Sequence, residues 1–282
     1  MEAKHLSNSR RFATLLALTA LALVCGICQP VDAQAAGTDS STSRETDARG
    51  ATKPSIVLVH GAFADAGGFQ YLIPLLQRAG YFVTGVQLPL TSVADDIVAT
   101  EIVLDAQVGD VVLVGHSFGG AVISGAGNHP KVKALVYVAA FAPDDAEVLG
   151  GLMAKFGPTD VNTALVPDAA GFLYIDRDKY PAVFAGDVPT SLTRVLAVTQ
   201  KPVSSVTFEE SIPHAAWHDK RSWYLVASDD HVIHPDLQRF MAQRMGASTS
   251  SLPSSHVPFI SRPAQVSRLI LEAARAITKP SP

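Results

Sequence analysis

The sequence predicts an α/β fold with a mostly parallel β-sheet, and two observations support this prediction. Five short runs are apolar on both faces, as in strands that are buried inside a parallel sheet. These runs are residues 55–59, 82–86, 111–114, 132–139 and 223–227. Segments with helical periodicity lie between them, and such alternation is typical of a parallel sheet that has helices on both faces.

The predicted helices carry start and stop signals of their own. Residues 69–79 place apolar side chains on one face and are followed by Gly80, which favours the end of a helix. Residues 92–107 begin at Ser92, a favourable N-cap, and have acidic residues in the first turn. Further helices are predicted at residues 121–127, 237–245 and 264–277.

One stretch, residues 143–220, breaks the alternation of strands and helices. It contains no clear buried strand and many prolines. Since unstructured loops of that length are uncommon in compact domains, we expect an inserted, mainly helical cap between two strands. An insertion at the carboxyl ends of the strands would lie over the ligand crevice of the sheet. The alternative is partial disorder of this stretch.

The N-terminal region predicts export from the cytoplasm. Residues 1–36 combine a basic start, an apolar run at residues 12–28 and small residues at the end, which is typical of a signal peptide. A membrane anchor is the alternative, and an Arg-Arg pair leaves the twin-arginine route open. Residues 37–53 are interpreted as a flexible linker and residues 54–278 as the folded domain.

Composition narrows the possible partners. Residues 37–282 contain 19 Lys and Arg against 24 Asp and Glu, so nothing in the charge favours nucleic acid or an anionic membrane. Both cysteines, Cys25 and Cys28, lie within the predicted signal peptide. We therefore expect no disulfide, no stable membrane association after cleavage, and a small molecule as the partner.

Ser117 is the strongest candidate for a catalytic residue. It is the central residue of Gly-His-Ser-Phe-Gly-Gly at 115–120, which fits the pattern G-x-S-x-G. A predicted strand precedes the motif and a helix of small residues follows it, which is the context of a nucleophile elbow. Such a turn is strained and lifts the serine hydroxyl above the sheet.

Two backbone amides are candidates for an oxyanion hole. Acyl transfer requires donors that point at the developing negative charge. One candidate is the amide of Phe118, directly after the serine, and the other is that of Ala62, in the loop after the first strand. His60, at the end of that strand, is interpreted as a structural residue. Phe63, Phe118 and Phe141 indicate an apolar or aromatic substrate pocket, so small esters are expected.

A serine nucleophile needs a base and an orienting acid, which follow the serine in the order acid, then histidine. The acid is expected after the strand at residues 223–227, where Asp229 and Asp230 compete and Asp230 is favoured. His256 precedes the last helix, where the base is expected. The other histidines are interpreted as surface or helix-capping residues.

The domain resembles bacterial α/β hydrolases related to plant methylesterases and hydroxynitrile lyases. The resemblance rests on residues 59–62, 87–92, 114–120, 136–143, 223–230, 235–242 and 255–256. It implies an α/β-hydrolase fold with a compact sheet of about six mostly parallel strands, flanking helices and a cap. It also implies no cofactor, and it places the acid at Asp230. We expect no metal site.

Two departures from the lyases of this group favour ester hydrolysis. The resemblance implies that those lyases have a lysine directly after the catalytic histidine, where this chain has Val257. It also implies that they have a threonine after the histidine that ends the first strand, where this chain has Gly61. Alternatives are lyase or cofactor-free haloperoxidase activity on the same triad, and a non-catalytic binding protein. A metal-dependent hydrolase is also possible, with Asp229, Asp230, His231 and His234 as ligands.

Overall fold

The computed structural model describes residues 53–278, and the following statements concern these residues. The predicted signal peptide, at residues 1–36, and all of the predicted linker except its last residue lie outside them. Across this described range, no helix is both long enough and apolar enough to cross a membrane.

Nine strands form two separate sheets. They are β1 (Ser55–Val59), β2 (Val83–Val86), β3 (Val111–His116), β4 (Val132–Val138), β5 (Leu165–Pro167), β6 (Phe172–Ile175), β7 (Val203–Ser204), β8 (Arg221–Ala227) and β9 (Ser248–Leu252). The central sheet has the order β2-β1-β3-β4-β8-β9, and all neighbouring strands pair in parallel. This confirms the predicted fold class and a sheet of six strands.

Helices cover both faces of the central sheet and build much of the cap. They are α1 (Ile73–Arg78), α2 (Val93–Asp105), α3 (Gly119–Ala126), α4 (Leu149–Ala154), α5 (Tyr180–Phe184), α6 (Thr190–Thr199), α7 (Pro235–Arg244), α8 (Pro258–Ser261) and α9 (Pro263–Thr278). Helix α2 begins as predicted, because the Ser92 hydroxyl accepts a hydrogen bond from the Asp95 amide at 3.0 Å.

The single helix predicted at residues 69–79 is wrong in its first half. A 3-10 helix, Ala66–Tyr71, precedes α1, which begins at Ile73. Pro74 lies in the first turn of α1, and it has no N–H with which to bond the preceding turn. A continuous α-helix therefore cannot pass through this position without a kink or a break.

The cap lies between β4 and β8 and is helical in most of its regular structure, but it also contains strands that the sequence analysis did not predict. Strands β5, β6 and β7 form a small antiparallel sheet. The Asp168 carboxylate accepts hydrogen bonds from the Ala170 and Phe172 amides and stabilises the turn between β5 and β6. These strands have two to four residues and are partly exposed, so they lack the continuous apolar pattern of a buried strand.

The core of the central sheet positions the site. Strands β1 and β3 are buried along their whole length, and β4 and β8 are buried except near their first residues. Because the strands are parallel, their carboxyl ends meet at one edge of the sheet. The loops after β1, β3, β8 and β9 leave from this edge, and every candidate catalytic residue lies on one of them.

Candidate active site

Ser117 occupies a tight turn between β3 and α3. Its φ angle is 53°, in the left-handed region that costs energy for a residue with a side chain. Gly115 and Gly119 permit the turn, because a Cβ on Gly115 would lie 2.6 Å from the Gly119 carbonyl oxygen. A Cβ on Gly119 would lie 2.5 Å from the carbonyl oxygen of His60. The two glycines of the motif therefore allow β1, β3 and α3 to approach closely around the serine.

Ser117, His256 and Asp230 form a continuous hydrogen-bonded chain. The Nε2 atom of His256 lies 2.7 Å from the Ser117 Oγ atom, and the Nδ1 atom of His256 lies 2.7 Å from Asp230 Oδ2. The side chains of His256 and Asp230 are fully buried. Since the carboxylate is an acceptor, Nδ1 carries the proton and Nε2 is free to accept the serine proton.

Asp230, and not Asp229, lies against His256. Its Oδ1 atom accepts hydrogen bonds from the Val232 amide at 2.7 Å and from the Ile233 amide at 3.1 Å. Asp229 is exposed, and the Ser228 hydroxyl contacts its carboxylate at 3.5 Å. The preference for Asp230 in the sequence analysis therefore agrees with the geometry.

Gln238 is a residue of this site that the sequence analysis missed. Its Nε2 atom donates to Asp230 Oδ2 at 2.7 Å and to the Ile233 carbonyl at 2.9 Å, and its Oε1 atom accepts from the Ala227 amide at 3.0 Å. The Gln238 side chain thus donates to the same carboxylate oxygen as His256 and helps to fix its position. The sequence signal that could have indicated Gln238 is its position next to Leu237, among the buried residues of helix α7.

Two buried histidines hold the loops around the triad. The Nε2 atom of His60 accepts from the Leu88 amide at 3.0 Å, so its Nδ1 atom donates to the Gly61 carbonyl at 2.8 Å. Burial lowers the pKa of His60 to about 4. His116 donates from Nε2 to the His256 carbonyl at 2.9 Å, and burial keeps the pKa of His116 well below its ordinary value. Both rings are therefore neutral near pH 7 and act as structural groups.

The two candidate oxyanion donors border the same cavity as the serine. The backbone amides of Ala62 and Phe118 donate no hydrogen bond to a protein acceptor within residues 53–278. Both residues are almost fully buried and line the cavity that contains Ser117. The two amides are therefore available for a ligand oxygen that is bound at the serine.

The cavity beside Ser117 has a volume of about 320 Å³. Phe63 and Phe141, the predicted pocket residues, line it together with Phe118. The cap supplies most of the remaining walls, and the majority of these side chains are apolar. A cavity of this kind accepts an apolar ligand of small to moderate size.

The cap contacts the base loop and the oxyanion loop through one short segment. The Tyr180 hydroxyl donates to the Phe63 carbonyl at 3.2 Å. The ring of Phe184 packs edge-on against the ring of His256, with centroids 5.0 Å apart. The Ser255 hydroxyl donates a hydrogen bond to the Asp187 carboxylate. Residues 180–187 therefore position the loops on which the base and one oxyanion donor lie.

A second cap segment docks on the loop that carries the acid. The Val161 amide donates to the His231 carbonyl at 3.1 Å, and the Thr159 hydroxyl donates to the Val232 carbonyl at 3.0 Å. The ring of His231 is bonded to Asp160 at 2.8 Å. The cap thus contacts the acid loop, the base loop and the oxyanion loop.

The four residues of the metal-site alternative are not arranged as a set of ligands. His231 is paired with Asp160, and the Nδ1 atom of His234 accepts a hydrogen bond from the Asp236 amide. Both oxygens of Asp230 already accept hydrogen bonds from protein donors. This geometry does not favour that alternative.

Comparisons with known proteins identify the family of this chain. A family model described as the alpha/beta hydrolase family matches residues 56–269. A carbendazim hydrolyzing esterase of Nocardioides sp. is 30% identical over 157 residues, which cover 51% of this chain and 63% of the relative. A pyrethroid hydrolase of Sphingobium wenxiniae is 30% identical over 249 residues, or 80% of this chain and 89% of the relative.

A solved structure and the plant relatives extend this likeness. The crystal structure of a pyrethroid hydrolase superposes with a TM-score of 0.72 at 26% identity, covering 81% of this chain and 100% of that one. Proteins of Arabidopsis thaliana whose names contain "methylesterase" are among the curated relatives. The resemblance in the sequence analysis is thus confirmed at the level of the superfamily.

Proposed function

The chain belongs to the α/β-hydrolase family, and from this premise we propose that it is a serine carboxylesterase. The family and the esterases among its relatives support the broader conclusion that the protein is a hydrolase. The observation that carries the finer proposal is the buried hydrogen-bonded chain from Asp230 through His256 to Ser117.

In the proposed reaction, Ser117 attacks the carbonyl carbon of the ester while His256 Nε2 takes the serine proton. The amides of Ala62 and Phe118 stabilise the oxyanion of the tetrahedral intermediate. The C–O bond to the alcohol then breaks, and the proton on His256 moves to the leaving alcohol. Water, deprotonated by His256, cleaves the acyl-enzyme and regenerates the serine.

Asp230 has an orienting role in this proposal. It keeps the His256 ring in the tautomer whose Nε2 atom faces the serine, and it stabilises the ring when it becomes positively charged. The Val232 and Ile233 amides and the side chain of Gln238 stabilise the carboxylate in turn. These hydrogen bonds hold the carboxylate in place while the histidine gains and loses a proton.

The substrates proposed here are neutral esters with apolar or aromatic groups. The apolar walls of the cavity and the three phenylalanines beside Ser117 support this class. The sequence supports the further proposals that the protein is exported by residues 1–36 and acts on small molecules without a cofactor.

Cyanohydrin cleavage is less compatible with the site than ester hydrolysis. The resemblance implies a threonine in the lyases where this chain has Gly61, and a Cβ at Gly61 would lie 2.6 Å from the Cβ of Ser117. A side chain at position 61 would require the serine to move. The position after the base is Val257, which has no charged group to assist such a reaction.

The test is hydrolysis of a panel of p-nitrophenyl and aryl esters by the wild type and by Ser117→Ala. We expect the variant to lose turnover and labelling by a serine-directed organophosphate, while Ser191→Ala, at an exposed position in the cap, retains both. Near-wild-type turnover in Ser117→Ala would overturn the proposal. Turnover that disappears when EDTA is added would favour a metal-dependent hydrolase instead.

A further inference from the structure

A second cavity adjoins the one that contains Ser117. It has a volume of about 470 Å³ and lies between helix α4 of the cap and the acid loop. Three residues, Gly150, Met153 and Val232, line both cavities. These three residues form the partition that the two cavities share, so a ligand that extends past them would reach the second cavity from the first.

The walls of the second cavity are mostly apolar. Ala154, Pro158, Ile233 and Leu237 line it, and polar side chains contribute a smaller part. Burying apolar surface stabilises a bound ligand, so this surface can bind an aliphatic or aromatic group. Of these four residues, only Ile233 takes part in the proposed ester hydrolysis, through its backbone amide, which donates to the Asp230 carboxylate.

The partition is suited to a passage between the two cavities. Met153 is unbranched and flexible, so it can change rotamer without moving the backbone. Gly150 has no side chain that could narrow the partition. A Cβ at this position would lie 3.2 Å from the Phe208 carbonyl oxygen, which is a tight contact. Val232 lies two residues after Asp230, so a group in the passage is held close to the acid loop.

We propose that the second cavity is a binding subsite for an extended apolar group of the substrate, with Met153 as the residue that divides it from the reacting carbonyl. This proposal rests on the proposed esterase function. The substrate class is a neutral ester whose acyl or alcohol portion is too long for the cavity beside Ser117. Glu209 is among the residues that line that first cavity, and an acidic residue there disfavours an anionic substrate.

The first test fills the second cavity by Ala154→Trp. Ala154 is exposed at the last turn of α4 and lines only the second cavity, so a larger side chain there need not disturb the core. The measurement is the ratio of kcat/KM for p-nitrophenyl decanoate to that for p-nitrophenyl acetate.

We expect this ratio to fall about tenfold in Ala154→Trp, because burying each methylene strengthens binding about fourfold. Val195→Trp, at an exposed position of α6, is the matched control and should leave the ratio at its wild-type value.

The second test opens the partition by Met153→Ala. We expect the same ratio to rise, and the rise to be larger for an ester with a branched or aromatic acyl group that Met153 would obstruct. A second series, of acetate esters with alcohols of increasing length, is measured beside the series with acyl chains of increasing length. The two series distinguish the alcohol portion of the substrate from the acyl portion. A change confined to one series assigns that portion to the second cavity.

The outcomes separate this inference from the proposed function. An Ala154→Trp variant with a wild-type ratio in both the acyl and the alcohol series would overturn the subsite, even if the enzyme is an active esterase. Ester turnover that persists in Ser117→Ala would overturn the proposed function itself. Thermal unfolding of each variant verifies that the changed ratios come from folded protein.

Discussion

The sheet domain and the cap contribute different parts of the same site. The loops of the sheet domain carry Ser117, Asp230 and His256, all at the carboxyl edge of the parallel strands. The cap carries none of these three residues. It instead supplies most of the cavity walls and makes direct contacts with the loops that bear the acid, the base and an oxyanion donor. The sheet domain therefore positions the three residues of the proposed triad, whereas the cap encloses the cavity beside Ser117 and contacts the loops around it.

The largest effect is expected in the sheet domain, from Asp230→Asn. The change keeps the shape of the side chain but favours the wrong tautomer of His256, and such a change lowers kcat by about 10⁴-fold in enzymes with this triad. The measurement is steady-state hydrolysis of p-nitrophenyl acetate. Asp229→Asn is the matched control, since Asp229 is exposed. The kcat of this variant should be within twofold of the wild-type value. Equal losses in both variants would contradict the assignment of the acid.

A large effect on stability is expected from the buried His60 in the sheet domain. Its pKa is about 4 in the folded protein and near 6.5 when unfolded, so the unfolded state binds more protons between these values. The free energy of unfolding should therefore fall by about 3 kcal/mol as the pH decreases from 6.5 to 4.

The His60 contribution must be isolated by difference, since burial raises the pKa of Asp96 to about 7. A raised carboxyl pKa gives stability that is lost as the pH increases towards 7, which opposes the trend from His60. Urea unfolding of the wild type and of His60→Gln at several pH values separates the two. His231→Gln, at an exposed histidine, should follow the wild-type profile. A His60→Gln variant with the wild-type pH dependence would refute this origin.

A smaller loss is expected when the serine turn is crowded by Gly61→Ala. The new Cβ would lie 2.6 Å from the Cβ of Ser117, so the serine must shift relative to His256. Because small misplacements of reacting groups are costly, we expect kcat to fall about 100-fold. Gly68→Ala is the control, since its Cβ would be 3.5 Å from the nearest atom, an ordinary contact with Phe259. A fully active Gly61→Ala would show that the loop yields without moving the serine.

The smallest effect is expected in the cap, from Asp187→Asn. Asp187 contacts Ser255, the residue before the base, so it acts as a positioning residue. Weakening a charge-assisted hydrogen bond of this type should lower kcat about tenfold and leave KM nearly constant. Asp178→Asn, at an exposed cap position, should preserve kcat. A change in KM alone would assign Asp187 to substrate binding instead.

Strands that are buried on both faces were easier to predict from the sequence than strands that are partly exposed. Strands β1 and β3 were evident because a strand that is buried on both faces contains a continuous run of apolar residues, here at residues 56–59 and 111–114. Strands β5 to β7 were missed because each has at most four residues and a partly exposed face, which leaves no continuous apolar run. The break before α1 could have been inferred from Pro74, but the apolar periodicity around it was the stronger pattern.

The sequence by itself determined the fold class, five of the six strands of the central sheet, the serine turn, and the positions of the acid and the base along the chain. These features depend on local patterns, such as glycines around Ser117 and a histidine before the last helix. Only the tertiary structure decided that Asp230 faces His256, that Gln238 and His116 support the triad, and that residues 180–187 position the base loop. Those contacts join residues up to 140 positions apart, and no local pattern specifies which distant side chains meet.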